Sequence, residues 1–182
     1  MDGEANIRLA YQSILDGDYE AALDRFEAAI AADPENADYH YRCSITCARS
    51  GKWAKAQAYA EEAVRLDGEH EEYRFHLQTI RARLLALEAE QLLSRESPAR
   101  EEAIARLEEA VRLDPLLVEA YRLLGNCCGA LGRYDDAVAW LRTAIELDPG
   151  NAAARRWFAD YSRKRRALRR PGNERNKRRK NR

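Results

Sequence analysis

Residues suited to catalysis are scarce in this chain of 182 residues, which holds three histidines, four cysteines and one methionine. No P-loop, dinucleotide fingerprint, GxSxG or HExxH motif occurs in it. His40, His70 and His76 are scattered, and none has a serine or cysteine partner at a motif spacing. Carboxylate pairs such as Glu61-Glu62 and Glu108-Glu109 lie at helical spacings from Arg65 and Arg112, as on a solvated helix face. The expectation is a protein without enzymatic activity, cofactor or metal. Long apolar runs are missing too. Nowhere does one approach the ~20 residues that a membrane helix needs, and Met1-Asp2-Gly3-Glu4 places acids where a secretory signal carries bases. A cytoplasmic protein with no transmembrane segment is expected.

The cysteines show no framework of loop spacings. Cys43 and Cys47 are four apart on one helical face, but no CxxC pair or spaced histidine completes a tetrahedral metal set. Cys127 and Cys128 are adjacent and point about 100° apart on a helix. Free cysteine is among the most buried side chains, so packing is the expected role of all four.

Net charge is also absent, because 31 basic residues balance 31 acidic ones. The balance conceals a division. From Arg163 to the end stand 12 Lys and Arg against one acid, Glu174, a charge of +11; the rest of the chain carries −11. The basic residues are concentrated in Arg163, Lys164, Arg165, Arg166, Arg169, Arg170, Lys177, Arg178, Arg179 and Lys180. Residues 176–182 contain nothing apolar, so residues 170–182 are expected to form a disordered basic tail. Three roles stay open for it: contact with nucleic acid or another anionic surface, solubilisation, and folding back on the acidic body. No aromatic residue follows Ser162, so the tail offers nothing for bases to stack on.

What is present is a period. Gly17, Tyr19, Ala22, Ala29 and Pro34 are followed 34 positions later by Gly51, Trp53, Ala56, Ala63 and Gly68. Ala103, Ala110, Asp114 and Pro115 return at the same distance as Ala137, Ala144, Asp148 and Pro149. A period of this size marks a supersecondary unit that can bury its apolar face only against its neighbour. Helical spacing of apolar residues on either side of Gly17, Gly51 and Gly132 predicts helix-turn-helix hairpins. Alanines on the second helices allow close approach of helix axes, with Tyr19 and Phe26, or Tyr134 and Leu141, filling the gaps between them.

One unit is longer than the others. Gly51 and Gly132 are 81 apart, two periods plus 13 residues, and the excess falls between Glu71 and Ser97-Pro98. The spacing of Tyr73, Leu77, Ile80, Leu84 and Leu87 predicts one helix of about 23 residues there. Ser97 is expected to cap the next helix, with Pro98 in its first position and Glu101 and Glu102 in its first turn. Leu84, Leu85, Leu87, Leu92 and Leu93 then either complete a core or, if the helix projects, form an exposed seam for a homodimer. After Pro149-Gly150, a helix from Ala152 to about Arg169 puts Trp157, Phe158 and Tyr161 on one side, as a cap on the last hairpin requires.

The pattern resembles the tetratricopeptide repeat (TPR) family, most closely through Tyr121, Leu124, Gly125, Tyr134, Ala137, Leu141, Ala144 and Pro149. The first unit has Asn6 at the opening tryptophan position, and the second has Gly68 where the proline belongs. The resemblance implies an all-α, right-handed α-solenoid of four TPR-like repeats, at about 3–36, 37–70, 71–117 and 118–151, closed by a capping helix at 152–169. It also implies a non-catalytic interaction scaffold, with first helices lining a concave groove for an extended peptide or a partner's helix. By position in each repeat, the groove candidates include Arg8 and Tyr11, then Tyr41, Arg42, Ile45 and Arg49, then Phe75 and Arg83, and finally Arg122 and Asn126. Core packing is an equal alternative for Tyr11, Tyr41 and Phe75. The carboxylate clamp of some family members is absent, since Ile7, Tyr11, Arg42, Glu72 and His76 occupy its places in the first three repeats.

Overall fold

The computed structural model describes residues 2–169, which contain nine α-helices and no strand. The helices are α1 (Gly3–Leu15), α2 (Tyr19–Ala32), α3 (Ala37–Arg49), α4 (Trp53–Leu66), α5 (Glu71–Leu93), α6 (Arg100–Leu113), α7 (Val118–Ala130), α8 (Tyr134–Leu147) and α9 (Ala152–Arg169). The fold class is an all-α solenoid of helical repeats. The expected basic tail, with Arg170, Lys177, Arg178, Arg179 and Lys180, lies outside the described residues. No described helix is long and apolar enough to cross a membrane.

The turn glycines decide how each hairpin closes. Gly17, Gly51 and Gly132 have φ of 80°, 73° and 78°, a left-handed conformation that costs glycine little and other residues much. At each, the same two bonds end the first helix. Gly17 N–H donates to the Ile14 carbonyl at 3.1 Å and Asp18 N–H to that of Ser13 at 2.9 Å. In the second hairpin Gly51 and Lys52 bond to Ala48 and Cys47, and in the last Gly132 and Arg133 bond to Gly129 and Cys128. The second helices also end alike, at Asp33, Asp67, Asp114 and Asp148, whose N–H groups donate to Ala29, Ala63, Ala110 and Ala144. Proline follows three of these aspartates and forces the extended conformation that they share. Asp67 precedes Gly68 instead and adopts the same conformation, with φ −140° and ψ 82°, so the missing proline leaves the turn unchanged.

The long helix has the 23 residues that its spacing predicts. Its connection to α6 differs from the expected one. Helix α6 begins at Arg100 with Ala99 at its N-cap, and no side chain caps it. Ser97 and Pro98 instead belong to the link, in which Ala99 N–H donates back to the Leu92 carbonyl at 3.2 Å and so ties the start of α6 to the end of α5. Glu101 and Glu102 do occupy the first turn, where the helix dipole favours acids.

The described residues divide into two compact units, with the boundary between Leu84 and Leu85 inside α5. In the first, α1 packs on α2, α2 on α3 and α3 on α4. Phe26, Leu23, Cys43, Cys47, Ala56, Ala60, Leu77 and Ile80 form its core, with Ile7, Ile14 and Leu84 packed against them. In the second, α6 packs on α7, α7 on α8, and α9 on both α7 and α8. Leu107, Leu124, Leu141 and Val138 are its most deeply buried large side chains. Every alanine of the expected repeat pattern, from Ala22 and Ala29 to Ala137 and Ala144, is fully buried. Tyr19 departs from its expected gap-filling role and is 39% exposed.

Candidate interaction surfaces

In the first unit, neighbouring first helices bring several of the expected groove residues together. Tyr11 on α1 stands edge-on to Phe26, with ring centroids 5.9 Å apart, and keeps 40% of its surface exposed. Arg42 on α3 reaches across to it, its guanidinium 5.6 Å from the Tyr11 ring centroid while Nη1 donates to the Tyr11 hydroxyl. Asp38, one turn earlier, accepts from Arg42 Nε and holds the guanidinium in that orientation. This hydrogen bond raises the arginine pKa further, so Arg42 is charged at any working pH. A concavity of ≈ 440 Å³ is lined by Glu4, Ile7, Arg8, Asn36, Asp38, Tyr39 and Arg42.

Tyr41 is half-buried in an aromatic cluster, 4.8 Å from Tyr73 and 5.3 Å, edge-on, from His76. Burial, reinforced by a hydrogen bond to Glu72, pushes its pKa up to about 12, so it stays a neutral donor. His70 stacks on the other ring, 3.9 Å from Tyr73. Beneath this cluster, Ser44 Oγ donates to the Ala56 carbonyl at 2.7 Å, which leaves it to accept from His76 Nε2–H at 3.0 Å. Burial lowers the His76 pKa, and the neutral ring suits that donor role. Next to His76 and two residues after Tyr73 on α5, Phe75 is 60% exposed in a concavity lined by Glu71, Glu72, Arg74 and Gln78.

The remaining groove candidates are placed differently. Arg8 and Arg49 are exposed, and Ile45 is half-buried. Arg83 lies 5.7 Å over the ring of Trp53 on α4, which draws it toward a second helix rather than toward Phe75. In the second unit, Arg122 donates to Glu119 at 2.8 Å and covers the ring of Trp157 on α9 at 5.7 Å. Asn126 accepts from the Tyr161 hydroxyl at 3.2 Å. These two polar groups thus hold α9 in place. Tyr39, Tyr73 and His70 were not among the expected surface residues; apolar periodicity marks Tyr73 as core and gives no sign of the rings gathered around it.

All four cysteines are buried free thiols. Burial pushes Cys127 and Cys128 up to about 11, and a hydrogen bond to Cys47 together with burial pushes Cys43 up, while the same bond lowers Cys47. Cys43, Cys127 and Cys128, held protonated in this way, are poor nucleophiles. Among the described residues no group of three or more His, Cys, Asp or Glu could hold a metal ion. The α5 leucines are not exposed: Leu92 is buried and Leu84, Leu85, Leu87 and Leu93 are half-buried, so they offer no projecting apolar seam.

The basic C-terminal helix is pinned by acids. Asp135 on α8 meets Arg169 at 2.7 Å and Arg165 at 3.7 Å. Asp160 on α9 itself meets Lys164 at 2.8 Å and Arg163 at 3.3 Å, and Lys164 lies over Tyr161. Arg166 has no ion-pair partner among the described residues.

Comparison with known proteins agrees with this geometry. Tetratricopeptide repeat profiles match residues 13–84 and residues 100–152, together more than half of the chain. Among solved structures the chain is similar to a MamA protein, at 19% identity over 90% of this chain and 82% of that one, with a TM-score of 0.52. It is similar to MamA of Desulfovibrio magneticus RS-1, at 16% identity over 91% and 96% of the two chains, TM-score 0.50. A tetratricopeptide repeat protein from Parabacteroides merdae matches at 20% identity over 90% of this chain and 60% of that one, TM-score 0.52. At these identities the likeness is one of fold. A search of curated proteins gave no match. With hairpins closed by glycines, buried alanines at each helix crossing and profile matches in both halves, the chain belongs to the tetratricopeptide repeat family.

Proposed function

We propose that the chain is a non-catalytic protein-interaction scaffold whose first unit takes an extended peptide or a partner's helix along α1, α3 and the first turns of α5. One observation carries this reading: Phe75 is 60% exposed and adjoins in the chain His76, whose ring meets Tyr41, in a unit where Arg42 is already seated on Tyr11. An exposed ring costs the free protein apolar hydration, which a partner removes on binding. Tyr41 and the Tyr11–Arg42 pair are the residue types that dominate interface energies, and their internal contacts reduce the ordering entropy lost on association. Glu4 and Asp38 beside Arg8 and Arg42 give the surface both signs of charge, which suits a peptide with paired charges more than a polyanion.

The test is a peptide-display selection against the full chain, followed by affinity measurements on the recovered peptides. Phe75→Ala or Arg42→Ala is expected to weaken them at least tenfold, about 1.4 kcal/mol, whereas Arg49→Ala, at an exposed position, changes little. Peptides indifferent to both substitutions would remove the assignment of this surface. Binding instead to nucleic acid, with a steep salt dependence and no effect of Phe75→Ala, would move the interaction to the basic end of the chain.

A further inference from the structure

An offset of 81 residues relates α2, α3 and α4 of the first unit to α6, α7 and α8 of the second, position by position. In the second unit α6 and α8 both pack on α7 and leave a concavity of ≈ 380 Å³ between them. Ile104 and Glu108 of α6, Cys128 of α7, and Asp136 and Trp140 of α8 line it. Their counterparts in the first unit are Leu23, Glu27, Cys47, Lys55 and Tyr59. There the charges satisfy one another. Lys55 Nζ meets Glu27 at 3.4 Å, the Tyr59 hydroxyl donates to the same carboxylate at 3.0 Å, and Lys52 meets Glu20 at 2.5 Å.

The second unit keeps one of these pairs and loses the other. Arg133 meets Glu101 at 2.7 Å, as Lys52 meets Glu20. Glu108 keeps the place of Glu27, but Asp136 replaces Lys55 and Trp140 replaces Tyr59, so neither partner of that carboxylate is retained. Glu108 and Asp136 have no ion-pair partner among the described residues. The thiols at the floor register the exchange. Cys47 is lowered by its hydrogen bond to Cys43 and then by Lys55, whereas Cys128 is raised by burial and then by Asp136, with Glu108 adding to it. Both free carboxylates therefore bear on one thiol, which is 3% exposed, lines the concavity and has no hydrogen-bond partner among the described residues.

We infer that this groove takes an arginine or lysine side chain of a partner protein, standing where Lys55 stands in the first unit. Charge complementarity selects that occupant, because two like charges across a groove repel until a cation lies between them. Trp140, half-buried on the wall, supplies the ring type on which a cation rests best. A guanidinium stacks on such a ring while its fork of N–H groups donates to carboxylates. Arg133 also lines the concavity, but its own guanidinium is held by Glu101. No group of described residues could ligate a metal ion here instead. The inference is independent of the peptide-binding reading of the first unit, and Phe75→Ala should leave it untouched.

Titration of the full chain with N-acetyl-arginine methylamide tests it, read by NMR at the Trp140 indole N–H in roughly 50 mM salt, where charges are screened less than at physiological strength. A saturable shift of that signal is expected below about 10 mM ligand, with the Trp53 and Trp157 signals unmoved. The neutral isostere N-acetyl-citrulline methylamide should bind at least tenfold more weakly. Glu108→Gln with Asp136→Asn, which removes the charges and keeps the shape, should weaken binding of the arginine probe at least tenfold. Asp136→Lys, which rebuilds the first-unit pair, should do the same. Circular dichroism confirms that each variant is helical. Absence of a saturable shift overturns the inference, as does a shift that survives these variants or that citrulline or magnesium ions reproduce equally. A chain ended at Arg169 that binds the probe when the full chain does not would assign the groove to the protein's own basic residues, and so overturn the partner.

Discussion

Helices α3 and α7 occupy the same place in two repeats, 81 residues apart, and they solve the same packing problem in opposite ways. In α7, Gly125 has no side chain because a Cβ there would stand 2.3 Å from Leu141 Cγ. In α3 the same position is Ser44, and the residue facing it from the second helix is Ala60 rather than leucine. The space released by the smaller residue admits a hydroxyl, which bonds the Ala56 carbonyl and His76. One hairpin is therefore held by shape and the other partly by a buried polar link. The surfaces follow suit. Arg42 rests on a ring of the preceding first helix, which stays exposed, whereas Arg122 rests on a ring of the following one, which is half-buried. The lesson is that equivalent repeat positions become open surface or structural cement according to what the neighbouring helix supplies.

The sharpest break in this comparison comes from Leu141→Ala. Emptying a fully buried leucine is expected to cost about 2–5 kcal/mol in urea unfolding. Gly125→Ala alone should cost about 1–3 kcal/mol through overpacking, but far less when Leu141 is already alanine. A double-mutant cycle reads that coupling. Additive losses would show that Gly125 is required for some reason other than Leu141.

Gly129→Ala should fall in the same overpacking range, about 1–3 kcal/mol, because its Cβ would stand 2.1 Å from the Tyr161 ring. The loss should appear as faster amide exchange in α9. Exchange that rises equally in α7, α8 and α9 would deny α9 any separate docking step.

Ser44→Ala is a smaller perturbation, expected to cost about 0.5–1.5 kcal/mol as the Ala56 carbonyl and the His76 N–H lose a partner. Ser44→Gly, which mimics α7, should not be milder, since Ala60 cannot fill the gap as Leu141 does. A Ser44→Gly protein as stable as the parent would mean that the hydroxyl contributes nothing.

The smallest effect is that of pH. His76 has its pKa lowered by burial, so between its folded value and the ordinary 6.5 the unfolded chain binds the proton that the folded chain refuses. Stability from this source is present above pH 6.5 and declines as the pH falls below it. Glu72 opposes the shift, and Ser44 and Tyr41 face the ring without charge at these pH values. His76→Gln should flatten the pH dependence of unfolding in that window; an unaltered profile would acquit His76.

Much of the fold was legible in sequence because its signals are local. Glycine at 17, 51 and 132 marks positions where only a residue without Cβ closes the hairpin cheaply, and alanine at each crossing marks where axes meet. The length of α5 followed from apolar spacing uninterrupted by glycine or proline. The start of α6 was misjudged, since Ser97-Pro98 carries the chemistry of a helix start, yet the Ala99-to-Leu92 bond claims that segment for the link. Among surface candidates, periodicity assigned a face to Tyr11, Tyr41, Arg42 and Phe75 but could not say which rings stay open.

The sequence by itself determined the repeat, its hairpin turns, its longer third unit and the separation of charge along the chain, because each depends on residues within a turn or two of one another. Only the tertiary structure decided that Arg42 seats on Tyr11, that Arg122 and Asn126 bind α9, and that Leu92 is buried while its fellow α5 leucines are half-buried. Those outcomes depend on which helix lies against which. Contacts between residues 30 or more positions apart arise from packing, and no local propensity encodes them.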